Sequence, residues 1–148
     1  MQEFTITPEI RASIQSDLLN MAPNNFSSHN LEKWMAEQMV IEEHRAIARQ
    51  RMIAALPTVV ALAQTYSGGG FTAATLLLNI YNRHEWHFDL VSMRNLDLEN
   101  WRACMDVLCY QTFSSPDKDV HHYIENGNKI MQQLWSRYKD TTNFIGRK

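Results

Sequence analysis

The chain has 148 residues, of which 45% are hydrophobic and 20% charged; 14 Lys and Arg stand against 16 Asp and Glu, for a formal net charge of −2. These proportions exclude a globally basic nucleic-acid surface and an acidic disordered chain, and a chain of this length can bury one sizeable core. Five glycines and four prolines are too few for a loop-rich or all-β design, so the expected fold is all-α.

Thr7, Pro8 and Glu9 predict a helix start: a capping hydroxyl, proline in the first turn, then an acid beside the positive helix end. Ile10, Ile14 and Leu18 follow at spacing four and place the end near Asn20, with Ala22, Pro23, Asn24 and Asn25 as a loop. A much longer helix begins near Asn30 and runs to about Leu56. Leu31, Trp34, Met35 and Met39 mark one side of it, and Glu32, Glu37, Glu42, Glu43, Arg45, Arg49 and Arg51 the other. Its length of roughly 39 Å exceeds what a compact domain of this size needs. That excess points to projection, a kink, or packing against another chain, a homodimer included.

Pro57 disfavours helical geometry at Leu56, so the rod is expected to end or bend there. Val59, Val60, Leu62, Ala63 and Tyr66 then form a short apolar helix, stopped by Ser67, Gly68, Gly69 and Gly70. Residues 71–82 are apolar nearly all round, the pattern of a helix at the centre of a bundle. Residues 86–90 alternate but are too few for a sheet of their own, and Asp89 is placed to cap a single turn through Met93. Asp97 caps a further helix with Leu98, Trp101, Met105 and Leu108 inward and Glu99, Arg102 and Asp106 outward. Cys104 and Cys109 lie on this helix, five apart, without disulfide or CxxC spacing; both are expected as buried thiols of a reducing compartment. Ser115, Pro116 and Asp117 repeat the cap-then-proline signature, and Val120, Ile124, Met131, Leu134 and Tyr138 form one stripe. Asn126 and Gly127 interrupt it, which makes two helices or one bent helix. The organisation expected is a single helical domain: 1–60 an N-terminal helical extension, 61–140 a core, 141–148 a frayed tail. There is no basic n-region with an apolar h-region at the start and no uninterrupted apolar run approaching about 18 residues, so neither a secretion signal nor a membrane span is expected, and the localisation expected is cytoplasmic.

Several constellations invite chemistry. Gly68, Gly69 and Gly70 before a helix suggest a phosphate loop, but a P-loop needs Lys and Ser or Thr after its last glycine, and Phe71 and Thr72 follow; a glycine C-cap with a tight interhelical turn explains the run better. His84 and His87 beside Glu85 and Asp89, and His121 and His122 beside Asp117 and Asp119, are two clusters that could meet around zinc, although neither has HExxH spacing. Solvated or capping side chains are the simpler account. Asp89 with Asp97, and Glu42 with Glu43, fall on expected caps and a charged helix face rather than in a cleft. No catalytic set, cofactor site or metal site is therefore expected. Lys129, Arg137, Lys139, Arg147 and Lys148 stand against Asp140 alone in 129–148, a local basic cluster with Trp135, Tyr138 and Phe144 nearby.

From about 62 to 135 the order Ser67-Gly68-Gly69-Gly70, Ala73-Ala74, Leu77-Leu78, Tyr81-Asn82, Asp89-Leu90, Leu96-Asp97, Val107-Leu108, Val120-His121, Asn126-Gly127 and Trp135 resembles an uncharacterised small-domain family encoded on plasmids, prophages and integrative conjugative elements. The resemblance implies a mobile-element accessory protein and carries no catalytic residues. Tyr81, Asn82 and His121 are its polar positions near an expected core, where each needs a partner.

The function expected is thus a non-enzymatic phage or mobile-element protein that binds a host protein complex, an anti-CRISPR-like inhibitor of host defence being the concrete form. Its expected contact residues are Trp34, Met35, Met39, Glu42, Glu43, Arg45 and Arg49. The alternatives are a nucleic-acid-contacting regulatory module using the C-terminal basic cluster, and a cryptic metal-dependent enzyme using His84, His87, Asp89 and His121.

Overall fold

The structure, a computed structural model, describes residues 3–113 and 115–146. It is all-α, as the composition requires: among the described residues there are five α-helices, two short 3-10 helices and no strand. The helices are α1 (Pro8–Met21), α2 (Ser28–Ala63), α3 (Gly68–Tyr81), α4 (Leu98–Phe113) and α5 (Gly127–Tyr138); the 3-10 helices are Leu90–Asn95 and Val120–Tyr123. The chain forms two compact units, Met1–Arg51 and Met52–Lys148, and α2 contributes to both.

In the first unit, Thr7 caps α1 by accepting the Ile10 N–H, with Pro8 in the first turn, as the sequence predicts. Leu18 is buried, and the Arg11 guanidinium meets the Glu43 carboxylate of α2 at 2.7 Å. The Phe26 and Trp34 rings lie 6.2 Å apart.

The second unit is built round α3. Leu76, Leu77, Leu78, Ala73 and Ala74 have no exposed surface, and α3 packs against α4, α5 and both 3-10 helices. A helix apolar on every side can be satisfied only by neighbours on every side. Its two buried hydroxyls return to the helix's own carbonyls, Thr72 to Gly68 and Thr75 to Phe71, so neither is left without a partner.

Pro57 does not end the helix. α2 runs unbroken through it to Ala63 and absorbs the short helix expected at 59–66; Tyr66 lies beyond it, 88% exposed. An interior proline removes one amide–carbonyl bond and crowds the preceding turn. Met52, Leu56, Val59 and Ala63, all buried at three-to-four spacing, hold the segment helical by packing. The same apolar positions give α2 an 18-residue window of mean hydropathy 1.3, long and apolar enough to cross a membrane by length and composition alone, a test that a buried core helix also passes; 39% of that window is buried inside the protein.

Three further elements depart from the sequence reading. The glycine run is neither a C-cap nor a positive-φ turn: Ser67 is the N-cap of α3, accepting the Gly70 N–H, and no glycine has positive φ. Gly70 is required by close approach, since a Cβ there would stand 2.5 Å from the Thr65 carbonyl oxygen. On α4, Asp97 caps as expected, but the inward face carries Ala103, Cys104, Val107 and Tyr110, while Trp101 is 41% exposed and Leu98 faces out. The short side chains of Ala103, Cys104 and Val107 permit closer packing than an inward Trp101 would. Ser115 and Pro116 do not open a helix, because the Asp117 carboxylate accepts from the Tyr110 and Tyr123 hydroxyls and is held in a loop.

Helix geometry also separates the thiols. Five residues is about 140° round an α-helix, so Cys104 is buried and Cys109 exposed. Burial pushes the Cys104 thiol up to about 11. Alkylation of the native protein at mildly alkaline pH is therefore expected to modify Cys109 and spare Cys104; peptide mass spectrometry before and after denaturation checks this, and equal labelling of both in the native state would contradict it.

The chain after α5 packs back rather than fraying as far as Gly146. Ile145 donates to the Glu85 carbonyl, His87 donates to the Asn143 carbonyl, and Trp86 and Phe144 form an isolated bridge. Trp86, Trp135 and Phe144 meet with ring centroids 5.0–5.4 Å apart.

Candidate functional site

The functional geometry of the second unit gathers at one corner, where the 3-10 helix Val120–Tyr123 meets the start of α5 and the last three turns of α2. Asn126 adopts the left-handed conformation, φ 55°, and Gly127 opens α5 directly under the preceding turn. A Cβ on Gly127 would lie 1.9 Å from the His121 carbonyl oxygen, so only glycine fits, and the Gly127 N–H donates to the Ile124 carbonyl at 3.0 Å. The buried Val120 anchors the other end of the turn. The stripe from Val120 to Tyr138 is thus two elements joined by a tight turn, not one bent helix.

Two sites share this corner. The first is an apolar groove of about 310 Å³. Ile53, Leu56, Pro57, Val60, Ala61 and Gln64 of α2 and its exit line one wall, and Tyr123, Ile124, Glu125 and Ile130 the other. Ile53 is 39% exposed there. Pro57 has no N–H to offer the Ile53 carbonyl, which gives the α2 wall a backbone acceptor without its regular helical donor.

The second is a cluster of side chains. Ligand atoms of Asp119, His121 and His122 lie within 4.8 Å of one another, and the two imidazole centroids are 4.0 Å apart. Asp119 occupies the N-cap position of its 3-10 helix yet makes no capping hydrogen bond, whereas Asp89 caps the other 3-10 helix by accepting the Val91 N–H. The Tyr81 ring packs edge-on against His121 at 5.1 Å. The His121 Nδ1 is buried without a hydrogen-bond partner. Desolvation, and then the neighbouring His122, hold His121 below its ordinary value, with Asp119 opposing.

The structure does not gather the other histidines into this cluster. Among the described residues, no group of three or more metal-ligating side chains includes His84, His87 or Asp89. The His84 N–H donates to the Asn82 side chain, and the His87 backbone pairs with Asn143. Asn82, at the end of α3, in turn donates to Glu85.

The residues expected to contact a partner lie in the first unit. Trp34, Met35 and Met39 are half-buried; Glu42 pairs with Arg45 at 2.8 Å, Glu43 with Arg11, and Arg49 is also engaged. Of the basic cluster, Lys129 and Lys139 are exposed, and Arg147 and Lys148 lie outside the described residues. Arg137 donates to the Ala63 and Gln64 carbonyls at 3.4 and 3.1 Å and covers the Tyr66 ring at 4.2 Å, which makes it a cap for the end of α2. Sequence reasoning missed the groove. Its walls come from segments some 60 residues apart, and the one local signal was the proline within an apolar run.

A small all-α domain with a central buried helix and a glycine-locked corner is the class these features define. Residues 53–139 match a family of unknown function, DUF7673, and the chain belongs to that family. The match reaches further towards the N-terminus than the resemblance at 62–135 and includes both the groove and the histidine cluster. No curated protein and no solved structure matches the chain.

Proposed function

We propose that this chain is a non-enzymatic accessory protein that acts by receiving an apolar segment of a partner protein in the groove between α2 and the 3-10 helix–α5 corner. The groove carries this reading. Its volume suits one or two aliphatic side chains, most of its lining is aliphatic, and Gln64 and Glu125 add polar groups to it. A mobile-element setting, with a host protein complex as target and inhibition of host defence as the outcome, extends the proposal on the strength of the sequence resemblance. The free thiols of Cys104 and Cys109 support a reducing, cytoplasmic setting.

Ala61 is exposed on the groove wall, so Ala61→Arg fills the groove without removing a core side chain. The wild-type chain, purified from its native host, is expected to carry a stoichiometric protein partner. The variant is expected to melt at the same temperature and to lose that partner by at least about tenfold in affinity. Retention of the partner by Ala61→Arg, or absence of one from the wild type, overturns the reading.

The nucleic-acid alternative draws support from a shallow recess lined by Tyr66, Lys129, Gln132, Gln133, Ser136 and Arg137. The capping role of Arg137 weakens it, since a guanidinium held by two carbonyls and a ring is poorly placed for phosphate.

A further inference from the structure

We infer that Asp119, His121 and His122 form a binding site for one divalent transition-metal ion of the zinc class, with two imidazoles and a carboxylate as ligands and a fourth position left to solvent. Four observations converge on it. The three ligand-bearing side chains already lie within 4.8 Å of one another. The Asp119 carboxylate stands at a helix N-cap and makes no capping bond, unlike Asp89 and Asp97 at the equivalent positions of their helices. The His121 Nδ1 is buried with no hydrogen-bond partner, a costly state for an imidazole nitrogen unless something else satisfies it. Finally, the Gly127 contact with the His121 carbonyl and the Tyr81 ring against the imidazole fix His121 from two sides, while Asp119 and His122 are exposed.

The dimensions are compatible. A tetrahedral ion with ligands at about 2.1 Å holds them roughly 3.4 Å apart. Closing the set from its present separation requires the ligand atoms to approach one another by about an ångström, and two of the three side chains, Asp119 and His122, are exposed. Two nitrogens and one oxygen favour a borderline ion over magnesium or calcium, which select all-oxygen sites. The site adjoins the groove through Tyr123, Ile124 and Glu125, yet it does not depend on a partner occupying that groove.

The test uses the full chain without an affinity tag, stripped with chelator and titrated with zinc chloride alone by calorimetry. One ion per chain is expected, together with a rise in melting temperature. Cobalt chloride is expected to give the visible absorption of a low-symmetry four-coordinate ion, a signature that a purely structural role for the histidines does not produce. His122→Ala and Asp119→Asn, both at exposed positions, should each weaken zinc binding by about tenfold or more. His84→Ala should leave it unchanged. The absence of saturable one-to-one binding overturns the assignment, as does binding that survives both His122→Ala and Asp119→Asn.

Discussion

Replacing Gly127 by alanine is expected to destabilise the protein by about 3 kcal/mol, the upper part of the range for overpacked sites. The methyl would be placed 1.9 Å from the His121 carbonyl oxygen, with backbone on both sides of the clash. A side chain in the way can rotate, but a carbonyl held between Val120 and the start of α5 can yield only if the turn moves. Equilibrium urea unfolding measures the loss. Gly68→Ala supplies the contrast: nothing lies within 4 Å of a Cβ there, and the residue begins α3 with ordinary φ. Alanine in place of a helical glycine should stabilise by about 0.5–1 kcal/mol. Equal effects of the two substitutions would mean that the corner is not locked as described.

The second large effect concerns Trp86, which has no exposed surface and meets both Trp135 and Phe144. Trp86→Ala should cost about 4 kcal/mol through lost burial and the cavity left behind. Trp86→Phe should cost much less, about 1 kcal/mol. The indole Nε1 is buried without a hydrogen-bond partner, and phenylalanine removes that donor together with part of the ring. Unfolding midpoints of the two variants check the ordering. If phenylalanine proved as costly as alanine, packing of the full indole would outweigh the lost polar penalty.

Much of the fold was legible where local chemistry and tertiary packing agree. Thr7 and Pro8 start α1, Asp89 caps the element after it, which runs on to Asn95 as a 3-10 helix rather than ending as one turn at Met93, Asp97 caps α4, and the all-round apolar character of residues 71–82 identifies the central helix. Legibility failed where a residue had two uses. Pro57 reads locally as a stop, but buried positions on either side of it keep α2 continuous. α4 carries two apolar stripes, and periodicity alone ranked Trp101 and Leu98 above the smaller Ala103 and Cys104 that pack inward. Asp117 matches a cap signature, but Tyr110 and Tyr123 take its carboxylate. At the candidate site, the neighbourhood of Asp119, His121 and His122 was visible in the sequence. Its geometry was not, because that depends on a 3-10 turn and on a glycine that fixes its depth.

Asparagine followed by glycine is chemically vulnerable. In a loose chain the glycine amide nitrogen attacks the asparagine side-chain carbonyl, ammonia leaves, and water opens the resulting succinimide to aspartate or isoaspartate. Here the Gly127 nitrogen is engaged with the Ile124 carbonyl, and Asn126 is fixed at φ 55°. Folding therefore protects the very dipeptide that shapes the corner from spontaneous deamidation, and a molecule that spends time unfolded ages first at its own keystone.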